Sequence, residues 1–237
     1  GYAYFKQNDF ENAIRNFNKI IGGNNAVAQN AYYHLAECYL KLEKKQEALN
    51  AFKNAAEMKF KPEIKKDAWL NYAKLSYEIG NPYQSVPDVL KEYINLYPNS
   101  THKNKINNLI ISAYITSKNY IGALDYLKNK KNTQDKKLYQ KVAFYRGSEL
   151  FVEGNFDLAL ENFKNSLTVP LDAEITAKAT YWKAEANYRM NNFTEAETGF
   201  NVFLSNTEAS KTTEYKHINY NLGYAYFKQK KYDMAIT

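Results

Sequence analysis

The sequence predicts an all-α protein, an α-solenoid of antiparallel helix pairs, and three observations carry that prediction. A small residue followed four positions later by a bulky apolar one recurs at Ala13/Phe17, Ala48/Phe52, Ala123/Leu127, Ala159/Phe163 and Ala196/Phe200, with Ser85 and Ala235 in the equivalent place of two further units. The positions 13, 48, 85, 123, 159, 196 and 235 are separated by 35, 37, 38, 36, 37 and 39 residues. A period that regular, drifting by a few residues, belongs to a repeat array whose loops vary in length. Apolar residues keep helical spacing along the chain, and no β-alternation of useful length interrupts them.

Each unit opens with a helix that mixes aromatic and small residues, as in Ala31-Tyr-Tyr-His-Leu-Ala-Glu-Cys-Tyr-Leu40. A short turn follows, closed by an aromatic: Asn8-Asp9-Phe10, Lys118-Asn119-Tyr120, Gly154-Asn155-Phe156, Asn191-Asn192-Phe193 and Lys230-Lys231-Tyr232. Asn and Gly tolerate the left-handed backbone that ends a helix. The second helix then places its small residue where the partner helix comes close and its bulky residue beside that gap. The units fall at about 1–22 (partial), 26–60, 62–98, 100–130, 134–170, 171–206 and 207–237 (partial), forming a single array over 1–237. Pro98 and Pro170 follow second helices, where proline stops helical continuation. Asn81-Pro82 reads as a helix start, with Asn as cap and Pro in the first turn. Pro87 then falls inside that helix, which predicts a distorted or late-starting element.

The composition, 45% hydrophobic and 24% charged, is that of an ordered chain. The net charge of +7 comes almost wholly from lysine, since Arg15, Arg146 and Arg189 are the only arginines. The lysines alternate with acids, and the bidentate contacts of nucleic-acid sites favour arginine. The densest basic stretch, Lys128 to Lys137, reads as a solvated loop, with an anion-binding patch as the alternative. The single cysteine, Cys38, lies in an apolar helical pattern and reads as a buried thiol; one cysteine forms no intrachain disulfide. No signal-peptide pattern is visible, and the longest apolar stretch, Leu109 to Ile115, is too short to span a bilayer.

These features resemble the tetratricopeptide repeat, with its W-x2-L-G-x2-Y, A-x3-F and P pattern. Leu222-Gly223-Tyr224-Ala225-Tyr226 is the clearest first-helix match; Leu35-Ala36-Glu37-Cys38-Tyr39 is another, with Tyr32 in the tryptophan place, which Trp69 takes in the third unit. The resemblance covers nearly the whole chain and implies a right-handed superhelix. The long units and the segment Leu96-Tyr97-Pro98-Asn99-Ser100 resemble tetratricopeptide proteins of bacterial envelopes, which implies a periplasmic or outer-membrane-associated setting rather than a cytoplasmic one. Gly1-Tyr-Ala-Tyr-Phe-Lys-Gln7 recurs unchanged as Gly223 to Gln229, and both ends fall in mid-repeat without polar caps. The expectation is a piece of a longer array, with end-to-end self-association through its uncapped repeats.

No catalytic or cofactor motif is present: no GxGxxG, Walker A, HExxH, GxSxG, CxxC or EF-hand loop. His34 and Cys38, at i and i+4, are the nearest approach to a metal pair, and two ligands make no site. The chain is therefore expected to be non-catalytic, with no metal and no cofactor. In the family, first helices line an inner, concave wall. Carried over, this gives a candidate groove of Tyr33, His34, Asn71, Lys141, Phe144, Tyr145, Lys178, Tyr181, Trp182, Arg189, Tyr220, Asn221 and Tyr224. Its rings form an aromatic wall from Phe144 to Tyr224, bordered by Lys141, Lys178 and Arg189, and tyrosine and tryptophan dominate binding hot spots. Aromatics in first helices also pack between repeats, so each ring has a core alternative. The family's two-carboxylate clamp is represented only by scattered members such as Asn71 and Lys105. The expected function is a protein–protein interaction scaffold that takes a peptide or helix. Carbohydrate or cell-wall binding and nucleic-acid binding are the alternatives, and no nucleic-acid partner is expected.

Overall fold

A computed structural model describes residues 1–236 and is all-α, with no strand among the described residues. The helices are α1 (Tyr2–Lys6), α2 (Phe10–Phe17), α3 (Ala26–Lys41), α4 (Lys45–Glu57), α5 (Pro62–Ile79), α6 (Val86–Leu96), α7 (Lys103–Thr116), α8 (Tyr120–Leu127), α9 (Thr133–Val152), α10 (Phe156–Leu167), α11 (Ala173–Arg189), α12 (Phe193–Leu204), α13 (Ile218–Lys228) and α14 (Tyr232–Ala235). Two short 3-10 turns, Ala209–Lys211 and Thr213–His217, lead into α13. The chain divides into two compact units, Gly1–Ala113 and the residues from Tyr114 onward, with the division inside α7.

Six helix pairs close in the same way. Asn8, Glu43, Lys118, Gly154, Asn191 and Lys230 each adopt a positive φ between 54° and 81° at the end of a first helix. The next amide then bonds the carbonyl five residues back: Asp9 to Tyr4, Lys44 to Tyr39, Asn119 to Tyr114, Asn155 to Leu150, Asn192 to Asn187 and Lys231 to Tyr226, all at 2.8–3.0 Å. This Schellman-type closure satisfies carbonyls that the helix end would otherwise leave unpaired. The second helix starts at once, and its small residue three positions in is fully buried in α2, α4, α8, α10 and α12.

The α5–α6 connection departs from this pattern and corrects two expectations. Asn81-Pro82 is not a helix start: residues 81–85 form an irregular bend, and α6 begins only at Val86 behind the cap Ser85, whose hydroxyl accepts from the Asp88 amide. Pro87 sits in the first turn, where its missing N–H has no intrahelical acceptor to lose. The repeat register shifts accordingly. Ser85 is not the small residue of its unit; Val89 takes that place and Tyr93 the bulky one, both fully buried. The basic stretch 128–137 is also only partly loop, since α9 begins at Thr133, capped by Asn132.

Each unit carries one buried glutamine that ties a first helix to the loop entering the next pair. In the first unit, Gln29 donates to the Ala55 and Met58 carbonyls at 3.0 Å and accepts from the Lys61 amide at 2.7 Å. In the second, Gln140 accepts from the Leu171 and Asp172 amides at 3.0 and 2.7 Å and donates to Thr176 Oγ1 at 2.9 Å. Both side chains are fully buried, so these bonds are what make an amide tolerable there. Cys38 is buried too, and burial pushes its thiol pKa up to about 11.

Candidate functional site

The candidate residues fall into two adjacent registers of the first helices, and the two have different fates. The register of Tyr33, Phe144, Tyr181 and Tyr220 faces the bulky residue of its own second helix. Tyr33 meets Phe52 at 5.7 Å between ring centroids, Phe144 meets Phe163 at 6.0 Å, and Tyr181 meets Phe200 at 5.7 Å and Phe203 at 5.4 Å. Phe144 and Tyr181 are accordingly buried in the core. This corrects their place in an open aromatic wall: edge and tilted packing on a second-helix ring is what these positions are for. Burial, with Glu185 and Glu214 adding to it, pushes the Tyr181 hydroxyl up to about 12. Tyr220 shares the register but stays 67% exposed, its ring tilted against that of the exposed Tyr224 with centroids 4.6 Å apart.

The next register holds His34, Asn71, Tyr145, Trp182 and Asn221. It is half-buried, and most of its members touch the preceding pair. The His34 ring lies 5.1 Å from Tyr2, 5.3 Å from Phe5 and 6.0 Å from Phe17, with Nδ1 2.7 Å from the Glu37 carboxylate. Asn71 donates to Asp67, which also accepts from the Tyr33 hydroxyl; burial first, and then this carboxylate, raises the Tyr33 pKa. Tyr145 packs 6.2 Å from Tyr120, with the Lys141 ammonium 5.7 Å from its ring.

Trp182 is held on two sides. Its ring stands edge-on to Phe151 at 5.0 Å, and its indole N–H donates to Glu214 at 2.9 Å. Asn221 donates to Tyr181 Oη at 2.7 Å and to Glu185 at 3.1 Å, and the Arg189 guanidinium donates to the same Glu185 at 2.9 Å. Glu185 is buried, and this network is what stabilises its charge there. Lys178 is paired with Glu174, and that bond raises its pKa. The exposed part of the predicted set is therefore Lys141, Arg189, Tyr220 and Tyr224, flanked by the half-buried Tyr145, Lys178, Trp182 and Asn221. Sequence reasoning missed Phe151 and Glu214. Phe151 was visible only as one more aromatic near a helix end, and Glu214 lies on a 3-10 turn 32 residues beyond its partner.

Among the described residues, no group of three His, Cys, Asp or Glu side chains is placed to hold a metal ion, and no helix is long and apolar enough to cross a membrane.

The model of the family described as Anaphase-promoting complex, cyclosome, subunit 3 matches residues 1–55, and the Tetratricopeptide repeat model matches residues 217–237. No curated protein sequence matches the chain. Among solved structures, the C-terminal part of a TPR repeat-containing protein from Cytophaga hutchinsonii is 19% identical, with 98% of this chain and 88% of that chain covered and a TM-score of 0.46. The apo form of RapI is 13% identical, with 99% and 71% covered and a TM-score of 0.49. The TPR2AB-domain:pHSP90 complex of yeast Sti1 is 14% identical, with 99% and 83% covered and a TM-score of 0.45. Helix pairs recur at this spacing and a repeat model matches the last unit, so the chain carries tetratricopeptide-type repeats.

Proposed function

We propose that the chain is a non-catalytic protein–protein interaction scaffold that takes an extended peptide or a helix on the first-helix face of its second unit, along α9, α11 and α13. Tetratricopeptide repeats mediate protein–protein interaction, and proteins built from them are typically non-catalytic. One observation carries the specific reading. The α9–α13 face exposes Lys141, Arg189, Tyr220 and Tyr224 beside Tyr145 and Trp182, while the polar groups between them, Glu185, Glu214 and Asn221, are already bonded within the chain. A partner covering this face would gain aromatic contact area without leaving those polar groups unpaired. The segment Leu96–Ser100 supports, as a further part of this proposal, placement in a bacterial cell-envelope assembly.

Site-specific photocrosslinking tests the surface. A crosslinking phenylalanine analogue at Tyr145 or Tyr220 is expected to trap a discrete protein partner, whereas the same analogue at Glu11 or Glu47, exposed on the second helices α2 and α4, traps none. Equal trapping from both faces, or none from the first-helix face, sinks the proposal.

A further inference from the structure

The second helices carry a separate cleft that the first-helix face does not explain. It encloses about 470 Å³, with α11 as its floor and α10 and α12 as its walls. Gly199 shapes it. A Cβ at that position would stand 2.7 Å from the Ala184 Cβ, so glycine lets α12 close onto α11 and leaves that stretch of wall without a side chain. Leu167 and the 53%-exposed Val202 give the cleft its apolar surface. Lys164 and Lys183 also line it, and neither has an ion-pair partner among the described residues. Glu195 is the one acid in the lining.

The neighbouring cleft over α9 serves as an internal comparison. It is similar in size, about 410 Å³, and is lined by Ile121, Leu124 and Leu158. Its charges are balanced within the chain: Arg146 is bonded to Glu149, and Asp125 lines the cleft together with Lys128. The α10–α12 cleft instead sets two ammonium groups, neither of them ion-paired among the described residues, against the single carboxylate of Glu195, which leaves a net positive charge around an apolar centre. A net cationic rim selects a partner of opposite charge and repels one of like charge.

We propose that this cleft docks an acidic segment of a partner protein, with one bulky apolar side chain between Leu167 and Val202 and flanking carboxylates on Lys164 and Lys183. A nucleic-acid strand fits it poorly: no aromatic ring lines the cleft to stack a base, and Glu195 opposes a phosphate chain.

The test uses the full 237-residue chain and a fluorescein-labelled pentapeptide with a central leucine and two acidic residues on each side, read by fluorescence anisotropy. Saturable binding is expected. It should weaken by at least about tenfold in the Lys164→Glu/Lys183→Glu double variant and in Val202→Asp, with circular dichroism unchanged. Exchanging the leucine for alanine should weaken it as well. A charge-swapped peptide, leucine flanked by lysines, should bind the double variant better than it binds the parent chain, a gain that misfolding does not mimic. Absence of saturable binding overturns the proposal. So does indifference to the double charge reversal, or displacement by single-stranded DNA of matched charge as efficiently as by unlabelled peptide.

Discussion

The turn between α11 and α12 and the turn between α5 and α6 do the same job by different means. In the first, the backbone closes the turn: Asn191 takes a φ of 62°, and the Asn192 amide bonds the Asn187 carbonyl at 2.8 Å. In the second, a side chain closes it. Asn81 donates to Tyr72 Oη and Ser76 Oγ at 2.8 Å, and its Oδ1 accepts from the Tyr83 and Gln84 amides at 2.8 and 3.3 Å. A backbone closure asks little of residue identity, which is why asparagine, glutamate, lysine and glycine all occupy the positive-φ place in the other turns. A side-chain closure asks for one residue, since only an amide offers two donors and an acceptor on one short stem.

The largest way to break this contrast is Asn81→Ala. It removes four hydrogen bonds, two of them to groups on the buried residues Tyr72 and Ser76, and should cost about 2–3 kcal/mol in chemical denaturation. Asn192→Ala should cost much less, because its side chain makes no capping bond; an equal loss in the two variants would remove the distinction. Second comes a pair of glycines. Gly80 sits at φ 82°, ψ 175°, a region essentially reserved for glycine, with no heavy atom within 4 Å of a built Cβ. Gly80→Ala should therefore lose about 2 kcal/mol through backbone strain alone. Gly154→Ala, at a place where Asn8, Glu43, Lys118, Asn191 and Lys230 are accommodated, should lose about 1 kcal/mol. Thermal melts of the two variants check that order. The smallest effect has the opposite sign. Asn191→Gly relieves a left-handed non-glycine residue and should change stability by under about 1 kcal/mol, toward the more stable side. A loss of more than that would mean the Asn191 side chain has a role in the turn.

The same contrast explains what was legible in the sequence. The array, its helix pairs and five of its turns follow from spacing and from the aromatic that closes each turn; the sixth, at Glu43, has lysine in the aromatic's place and carries no such signal. Ser85 was misplaced because counting from Ala48 assumes a turn of constant length, and periodicity does not reveal that Asn81 builds a longer one. In the candidate site the first-helix aromatics were legible as a set but not as two registers. Neighbouring residues on a helix point about 100° apart, so Tyr181 faces Phe200 while Trp182 faces Phe151. Which of two adjacent rings points inward is settled by the partner helix, not by either residue. Gln29 and Gln140 were missed for a related reason: a glutamine near a helix start reads as surface until the loop that covers it is known.

Those two glutamines bear on how the molecule comes apart. Lys66 and Ala177 hold the same register in α5 and α11, so among the described residues the glutamine bolt serves only the loops entering α5 and α11, and the turn leading into α13 is held instead by the Trp182 indole on Glu214. In a repeat protein, stability is carried largely by coupling between neighbours. Under a pulling force, the pairs α3–α4 and α9–α10 should stay coupled to the first helix that follows them, α5 and α11, and each unit should yield as a multi-pair block rather than one hairpin at a time.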